Sequence, residues 1–374
     1  MKILICALQF KGGSIQVVLS IINELRKFPD NEYFIVMSKE VAGQLFINDF
    51  FGNFHFYTVK QFTNNRLVNF GKRAKWLTQL EKDIKPDCCI STSGPIYWRS
   101  KSPMLMGYNL PAHIYLESPF FKGLPLYRKF RRYWIVRITH RYLFRREASW
   151  YFVQTEDVKV RLKKYLKRDN VYTVSNTYSN VFKNFIPFDN KLPDRKENVL
   201  RLLTISAYYP HKNLEIINPV LKELFYRGIN NVVFVLTLQP DIFNKIFEER
   251  YNKNIINVGQ IKSIECPSLY NECDIMFLPT LLECFSASYA EAMLMQKPIL
   301  TTNLGFAHSV CGNAALYFEP MNPKDIADKI EILLNSEDLK EDLIVKGNKQ
   351  IKQFGTAEKR AKQILELCNN IVKK

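Results

Sequence analysis

Several classes of protein are excluded by what the 374 residues lack. No apolar run reaches the roughly 18 residues that a membrane-spanning helix needs. No G-x-x-x-x-G-K-S/T motif occurs, which excludes a P-loop kinase or ATPase. The eight cysteines show no metal-ligand spacing, and residues 1–8 are too short for a signal peptide and are predicted to form a strand. Reduced thiols and a cytoplasmic location are therefore expected.

Length and composition predict a two-domain α/β protein. A chain of 374 residues is long for one core, and a hydrophobic content of 47% excludes disorder. Apolar runs that alternate with helical patterns predict strands near residues 3–8, 33–38, 87–91, 104–106, 200–205, 232–238, 255–259 and 275–278. We expect a first domain over residues 1–185, a linker over 186–199 and a second domain over 200–354.

Positive charge is concentrated in the first half of the chain. Residues 1–190 contain 30 Lys and Arg against 14 Asp and Glu, whereas the remainder contains 23 against 22. Residues 122–146 carry nine Lys or Arg and no acid, with aromatic residues interleaved. Such a segment needs either solvent, an anionic surface or a phosphate backbone beside it.

Helical spacing orders this basic segment into two stripes. Phe130, Trp134, Ile138 and Tyr142 fall four residues apart, and an arginine stripe lies beside them. An anionic membrane surface or a lipid-linked acceptor is favoured, followed by a core helix with a solvated outer face. Nucleic acid comes last, because no nucleic-acid module accompanies the charge. The candidate surface residues are Arg128, Arg131, Arg132, Trp134, Arg137, Arg141 and Arg145.

The most informative motif follows the predicted strand 275–278. Pro279-Thr280 leads to Glu283, and Glu291 lies eight residues later in a predicted helix. A strand, a polar loop and a helix start form a pocket at the carboxyl end of a strand in an open α/β sheet. Backbone N–H groups near Phe285, Ser286 and Ala287 would point into it, where a helix N-terminus attracts a phosphate.

Two other interpretations of this motif exist. Ser288-x-x-Glu291 also fits a capping box, in which Glu291 would only bind a backbone N–H at the helix start. A glycosidase pair fits less well, since its carboxylates face one bond at about 5–9.5 Å. Two helical positions eight apart are separated by about 12 Å along the axis. The two glutamates are therefore expected to hold different parts of one long ligand.

Two further loops have the same place after a strand. Gly12-Gly13 lies between the first strand and a helix, where a glycine pair lets a backbone approach a phosphate. Ser206 to Asn213 follows the strand at 200–205 and contains Lys212. Neither loop is specific by itself.

Together these motifs resemble the Glu-x7-Glu pattern and its surroundings in retaining GT-B glycosyltransferases of family 4. The order of Val258-Gly259, Cys273-Asp274, the two glutamates, Lys297-Pro298 and Asn322-Pro323 matches that family's second domain. The resemblance implies a GT-B fold, in which two Rossmann-like domains face an interdomain cleft. It also implies metal-independent transfer of a sugar from a nucleotide-sugar, and a C-terminal helix within residues 355–374 that packs back on the first domain. No Asp-x-Asp occurs, so the metal-dependent GT-A class has no support.

The resemblance also assigns roles to residues. Glu283 would hold sugar hydroxyls, Glu291 the ribose, and Ile261 would lie where the base is bound. Lys212 and the Gly12-Gly13 loop would contact the diphosphate, but Ala207 stands where the family has an arginine. The catalytic candidates are Glu283, Lys212, His113 and Asn109. Asn109 occupies the usual position of a histidine, and His113 comes four residues later.

Two alternatives stay open for the function. A GT-B sugar-nucleotide epimerase uses the same fold and ligand class, but it needs no basic acceptor surface. A basic membrane-binding or nucleic-acid-binding protein could retain an inactive GT-B scaffold, given Ala207 and the shifted histidine. We expect a transferase that uses a UDP- or GDP-sugar without cofactor or metal. Its acceptor would be a lipid-linked glycan of the cell envelope, on the inner face of the membrane.

Overall fold

The computed structural model describes residues 1–9, 13–59, 66–183, 187–195, 197–251 and 253–373. These residues form two compact units, which are described separately. The first unit contains residues 1–116, 124–176 and 355–374, and the second contains residues 117–123 and 177–354. The predicted domain limits at residues 185 and 200 stay predictions. Residues 117–123 come from the first half of the chain and yet belong to the second unit.

The first unit is built on a seven-stranded parallel sheet, with the strand order β3-β2-β1-β4-β5-β6-β7. Five of six residues of β1 and of β2 are buried, as expected for a sheet covered on both faces. Register is set by pairs such as Ile3 with Tyr33 and Ile3 with Cys88. The strands are β1 Lys2–Ala7, β2 Glu32–Met37, β3 Phe54–Thr58, β4 Cys88–Ser91, β5 Met104–Gly107, β6 Trp150–Val153 and β7 Val171–Thr173.

The second unit contains a six-stranded parallel sheet, with the order β10-β9-β8-β11-β12-β13. Strands β8, β9 and β11 are buried along their whole length. The strands are β8 Leu200–Thr204, β9 Val232–Leu236, β10 Ile255–Asn257, β11 Ile275–Leu278, β12 Ile299–Thr302 and β13 Ala315–Phe318. The prediction of an α/β protein with two Rossmann-like sheets is confirmed.

Helices connect the strands. Polar N-caps fix several starts, among them Thr155, Asn322 and Thr356, whose side chains accept from backbone N–H groups. The α-helices are α1 Gly13–Leu25, α2 Lys39–Ala42, α3 Arg66–Ile84, α4 Leu126–Phe130, α5 Arg137–Glu147, α6 Glu156–Leu166, α7 Ile217–Tyr226, α8 Pro240–Ile246, α9 Cys266–Asn271, α10 Ala287–Leu294, α11 Gly305–Cys311, α12 Pro323–Asn335, α13 Glu337–Gln350 and α14 Ala357–Val372.

Shorter helical turns complete the chain. A π-helical turn, Arg131–Val136, joins α4 to α5. Single 3₁₀ turns occur at Ile47–Asp49, Pro111–His113, Pro119–Phe121, Asn180–Phe182, Pro210–Lys212, Leu214–Ile216, Glu249–Tyr251, Ser263–Glu265 and Ile351–Gln353. Within the described residues, no helix is both long and apolar enough to span a bilayer.

The C-terminal helix α14 is part of the first unit's core. It packs along α1, and Ile364 and Cys368 are buried in the same apolar cluster as strands β1 and β4. The buried Arg360 guanidinium donates hydrogen bonds to Asn176 Oδ1 and Ser20 Oγ. The last 20 residues therefore complete a unit that begins at residue 1.

We expect Ile364→Ala to destabilise the protein by about 2–5 kcal/mol, because it leaves a cavity in this core. Ile364 is 1% exposed. The exposed Lys362 on the same helix is the matched control, and Lys362→Ala should change stability by less than about 0.5 kcal/mol. Denaturant unfolding of both variants checks this. Equal denaturation midpoints for Ile364→Ala, Lys362→Ala and wild type would mean that Ile364 on α14 contributes nothing to the core.

Candidate functional site

Adjacent strands bring two loops of the second unit together. Strands β8 and β11 are paired in parallel, with Leu202 opposite Ile275. Their carboxyl ends therefore lie at the same edge of the sheet, which is where open α/β sheets bind ligands. The first loop covers residues 205–213 after β8, and the second covers residues 279–286 after β11.

An ion pair joins these two loops. The ammonium of Lys212 contacts Glu283 Oε1, and the two side chains are 14% and 15% exposed. The backbone adds a second link, because Leu281 N donates to His211 O at 2.7 Å. Thr280 Oγ1 lies 3.3 Å from both His211 O and Glu283 Oε1, so its proton can be donated to either. The structure thus brings together two of the predicted catalytic residues.

The ion pair retains capacity for a ligand. Among the described residues, the hydrogen-bond donors to Glu283 reach only Oε1, which leaves Oε2 as an acceptor. An ammonium group has three N–H donors, so Lys212 can keep its bond to Glu283 and still bind a phosphate oxygen. The pair can therefore serve a ligand that carries both hydroxyl groups and a phosphate.

Helix α10 begins directly after the second loop. Its N-cap is Ser286, whose side chain makes no capping hydrogen bond, and Ala287 is the first helical residue. The first N–H groups of a helix have no acceptor within the helix, and they favour an anion. The capping-box interpretation is wrong, because Ser288 and Glu291 are the second and fifth helical residues rather than N-cap and N3.

Glu291 is a half-buried carboxyl group on α10. Among the described residues, no group donates a hydrogen bond to it. Burial raises its pKa to about 7 from the ordinary 4.5. An acceptor in this condition suits ligand hydroxyl groups, whose hydrogen bonds would favour its ionised form.

The remaining predicted donor-binding residues lie at several places. Phe285 in the second loop contacts the ring of Phe354 edge-on at 5.6 Å. Ile261 follows β10 and is half-buried. Gly13 is the first residue of α1, and a Cβ there would meet no atom within 4 Å, so packing does not require glycine. Gly12 lies outside the described residues.

Asn109 and His113 follow strand β5 in the first unit. Asn109 is half-buried, whereas His113 is 5% exposed and its ring packs against His140 and Tyr165. Burial, followed by the charges of His140 and Arg137, lowers the pKa of His113 to about 3. The imidazole is therefore neutral at physiological pH. The catalytic roles of both residues stay predictions.

The basic segment forms one helical run through α4, the π-helical turn and α5. Its aromatic stripe is exposed, with Phe130 at 60% and Trp134 at 62%. The interpretation in which this stripe packs into a core is therefore wrong. The large apolar side chains on this surface are Leu126, Tyr127, Phe130, Trp134, Ile135, Ile138 and Tyr142. We call it the helical surface.

The predicted basic residues of this segment divide into two groups. Arg128 and Arg131 are exposed. Arg137 is bound within the first unit, since its Nε donates to His113 O at 2.9 Å and its guanidinium lies over Tyr165. Arg145 is exposed but donates to Leu166 O at 3.1 Å, and Arg141 is half-buried. The side chain of Arg132 is outside the described part.

Sequence reasoning missed residues that support the loops. Thr280 was part of the motif, but its hydroxyl group also contacts the carbonyl oxygen of His211, which is 69 residues away. In the first unit, buried Glu147 accepts hydrogen bonds from Ile96 N and Tyr97 N, and burial raises its pKa to about 7. No local pattern marks such contacts.

Within the described residues, no cluster of three or more His, Cys, Asp or Glu could hold a metal ion. The expectation of a metal-independent site stays a prediction.

Comparisons with known proteins show what parts of this chain are similar to. Residues 185–350 match the sequence model of the family described as Glycosyl transferases group 1. An uncharacterized glycosyltransferase of Methanocaldococcus jannaschii is 26% identical over 157 residues, which is 41% of this chain and 43% of that protein. The capsular polysaccharide biosynthesis glycosyltransferase CapM of Staphylococcus aureus is 26% identical over 205 residues, 51% of this chain and 53% of that one. The chain thus matches about half the length of these relatives.

Similarity to solved structures extends over the whole chain. HepE from Anabaena, solved in complex with UDP and glucose, superposes with a TM-score of 0.72 over 99% of both chains at 14% identity. At this identity the likeness establishes the fold alone.

The raised pKa of Glu291 predicts a pH effect on stability. Its folded pKa near 7 exceeds the unfolded value near 4.5. The contribution of Glu291 to the free energy of unfolding is therefore fully present below about pH 4.5 and is lost as pH rises through 7. Ionisation of Glu291 should therefore lower the free energy of unfolding of the wild type by on the order of 1–3 kcal/mol between pH 5 and 8. Glu291→Gln should abolish this decrease.

Denaturant unfolding of wild type and Glu291→Gln at several pH values measures this difference. Glu147→Gln serves as the comparison, because burial raises the pKa of Glu147 in the same way. This variant should reduce the pH dependence of the free energy of unfolding by a separate amount. Parallel curves for wild type and Glu291→Gln would show that Glu291 ionises normally.

Proposed function

We propose that this chain, whose residues 185–350 match the group 1 glycosyl transferases and whose fold is GT-B, transfers a sugar from a nucleotide-sugar to a glycan. The observation that carries the proposal is the Lys212–Glu283 pair beside the N-terminus of α10, within the residues that match the family. A cation, hydroxyl acceptors and helix N–H groups at one sheet edge fit a sugar linked to a diphosphate.

Each group would act on a different part of the donor. Lys212 and the N–H groups near Phe285, Ser286 and Ala287 would stabilise the negative charge that develops on the leaving diphosphate. Oε2 of Glu283 would accept from sugar hydroxyls, and Glu291 from the ribose. Ile261 would contact the base, and Gly12-Gly13 would approach the phosphates.

The reaction would proceed with retention and without a metal, as in the family that the motif resembles. The acceptor hydroxyl would attack the sugar from the face that the phosphate leaves, and a phosphate oxygen would take the proton. Asn109 and His113 would lie near the reacting sugar. A UDP- or GDP-sugar is the proposed donor, and HepE in complex with UDP and glucose supports this class. Envelope polysaccharide synthesis is supported by the similarity to CapM.

The helical surface suggests where the acceptor is presented. Seven large apolar side chains are exposed beside Arg128 and Arg131 on one helical run. Aromatic residues with adjacent arginines bind the interface of an anionic bilayer, at about 1 kcal/mol per basic residue. We therefore infer peripheral binding to the inner face of the cell membrane and a lipid-linked acceptor.

Lys212→Ala and Glu291→Ala should each weaken binding of the preferred nucleoside diphosphate by about tenfold or more, since a charge-assisted hydrogen bond contributes about 1.5–3 kcal/mol. Calorimetric titration with UDP, GDP, ADP and dTDP measures this. Lys222→Ala removes the same charge from an exposed position on α7 and should bind like wild type. The donor site would be wrong if wild type bound none of the four nucleotides.

Replacing Trp134 and Ile138 by Ser, or Arg128 and Arg131 by Glu, should reduce cosedimentation with phosphatidylglycerol vesicles at least tenfold. The first change removes apolar area, and the second reverses charge. Lys222→Glu with Lys245→Glu gives the same charge change on exposed positions of the second unit, and it should leave vesicle binding unchanged. Unaltered binding by both helical-surface variants would contradict the membrane proposal.

A further inference from the structure

Residues 117–123 form a short segment of the second unit that is supplied by the first half of the chain. We call it the strap. Its centre is the 3₁₀ turn Pro119–Phe121, which is capped by Ser118. Ser118 and Phe121 are each 4% exposed. The strap is thus packed into the unit that carries the candidate donor site.

Ser118 holds the loop that carries Glu283. Its Oγ donates to Leu281 O at 2.6 Å and accepts from Phe120 N at 3.2 Å, so both functions of the hydroxyl are used. The N–H of Leu281 donates to His211 O at 2.7 Å. The Leu281 residue is therefore fixed on one side by the first loop and on the other by the strap.

Phe120 holds the loop that carries Lys212. Its ring meets His211 edge-on, with ring centroids 6.2 Å apart, and His211 also stacks on Tyr209 at 5.5 Å. The strap thus contacts His211, which directly precedes Lys212, and Leu281, which lies two residues before Glu283.

We propose that Ser118 and Phe120 are positioning residues for the donor site. They set the separation of the two loops and thereby the geometry in which Lys212 and Glu283 meet a nucleotide-sugar. The inference rests on the proposed function, because it requires that these loops bind the donor. Small displacements of charge-assisted contacts lower affinity, so the strap should control how tightly the donor is held.

The test compares variants that differ in one hydroxyl group. Ser118→Ala removes the bond to Leu281 O and leaves a buried carbonyl without its partner. It should weaken nucleoside diphosphate binding about tenfold and raise the donor KM by a similar factor, with a smaller change in kcat. Ser118→Thr keeps the hydroxyl and should remain within about threefold of wild type. Phe120→Leu should also weaken binding, through the lost contact with His211.

Ser102→Ala is the matched control. Ser102 Oγ also donates to a distant backbone carbonyl, Pro86 O at 2.8 Å, but it lies in the first unit. This variant should bind the nucleotide like wild type, and a thermal melt of every variant verifies folding. If Ser118→Ala and Phe120→Leu bind the nucleotide as tightly as wild type, the positioning role of the strap is wrong and the proposed function is unaffected. Absence of nucleotide binding in wild type would overturn both.

Discussion

The ion pair between Lys212 and Glu283 is the contact on which the proposed donor site depends. The two residues are 71 positions apart, and the pairing of β8 with β11 brings their loops to the same edge of the sheet. Both side chains are largely shielded from water, so each charge needs the other. Removing one partner of such a pair leaves the second without compensation, which is costly. The same shielding lets a phosphate compete effectively for the lysine, because charges interact more strongly away from bulk water.

The absence of an arginine at position 207 is the main departure from the family pattern. Ala207 is exposed and uncharged. In this chain, two groups at the sheet edge are suited to a phosphate: the Lys212 ammonium and the first N–H groups of α10, whose N-cap Ser286 makes no side-chain capping bond. A helix N-terminus carries about half a positive charge, so it can replace part of a missing cation. This favours an active site over an inactive scaffold.

Much of the fold could be predicted because buried parallel strands are apolar throughout. The runs at β9 and β11 were identified in this way. Strands β3, β6, β7, β12 and β13 were not predicted; among them, β7 has only three residues and β3 is partly exposed. The motif with Glu283 and Glu291 also indicated the site. The capping-box alternative could be excluded only once the helix start was known. The contact of Ser118 with Leu281 spans 163 residues, and no local spacing encodes it.

The measurement that tests the central claim most directly is turnover of UDP-, GDP-, ADP- and dTDP-sugars, followed as release of free nucleoside diphosphate by wild type and Lys212→Ala. The account predicts that wild type consumes sugars of one base class, that the nucleoside diphosphate accumulates and that Lys212→Ala loses most of this activity. No release from any donor, or equal release by both proteins, would contradict the assignment of the Lys212–Glu283 loops as the donor site.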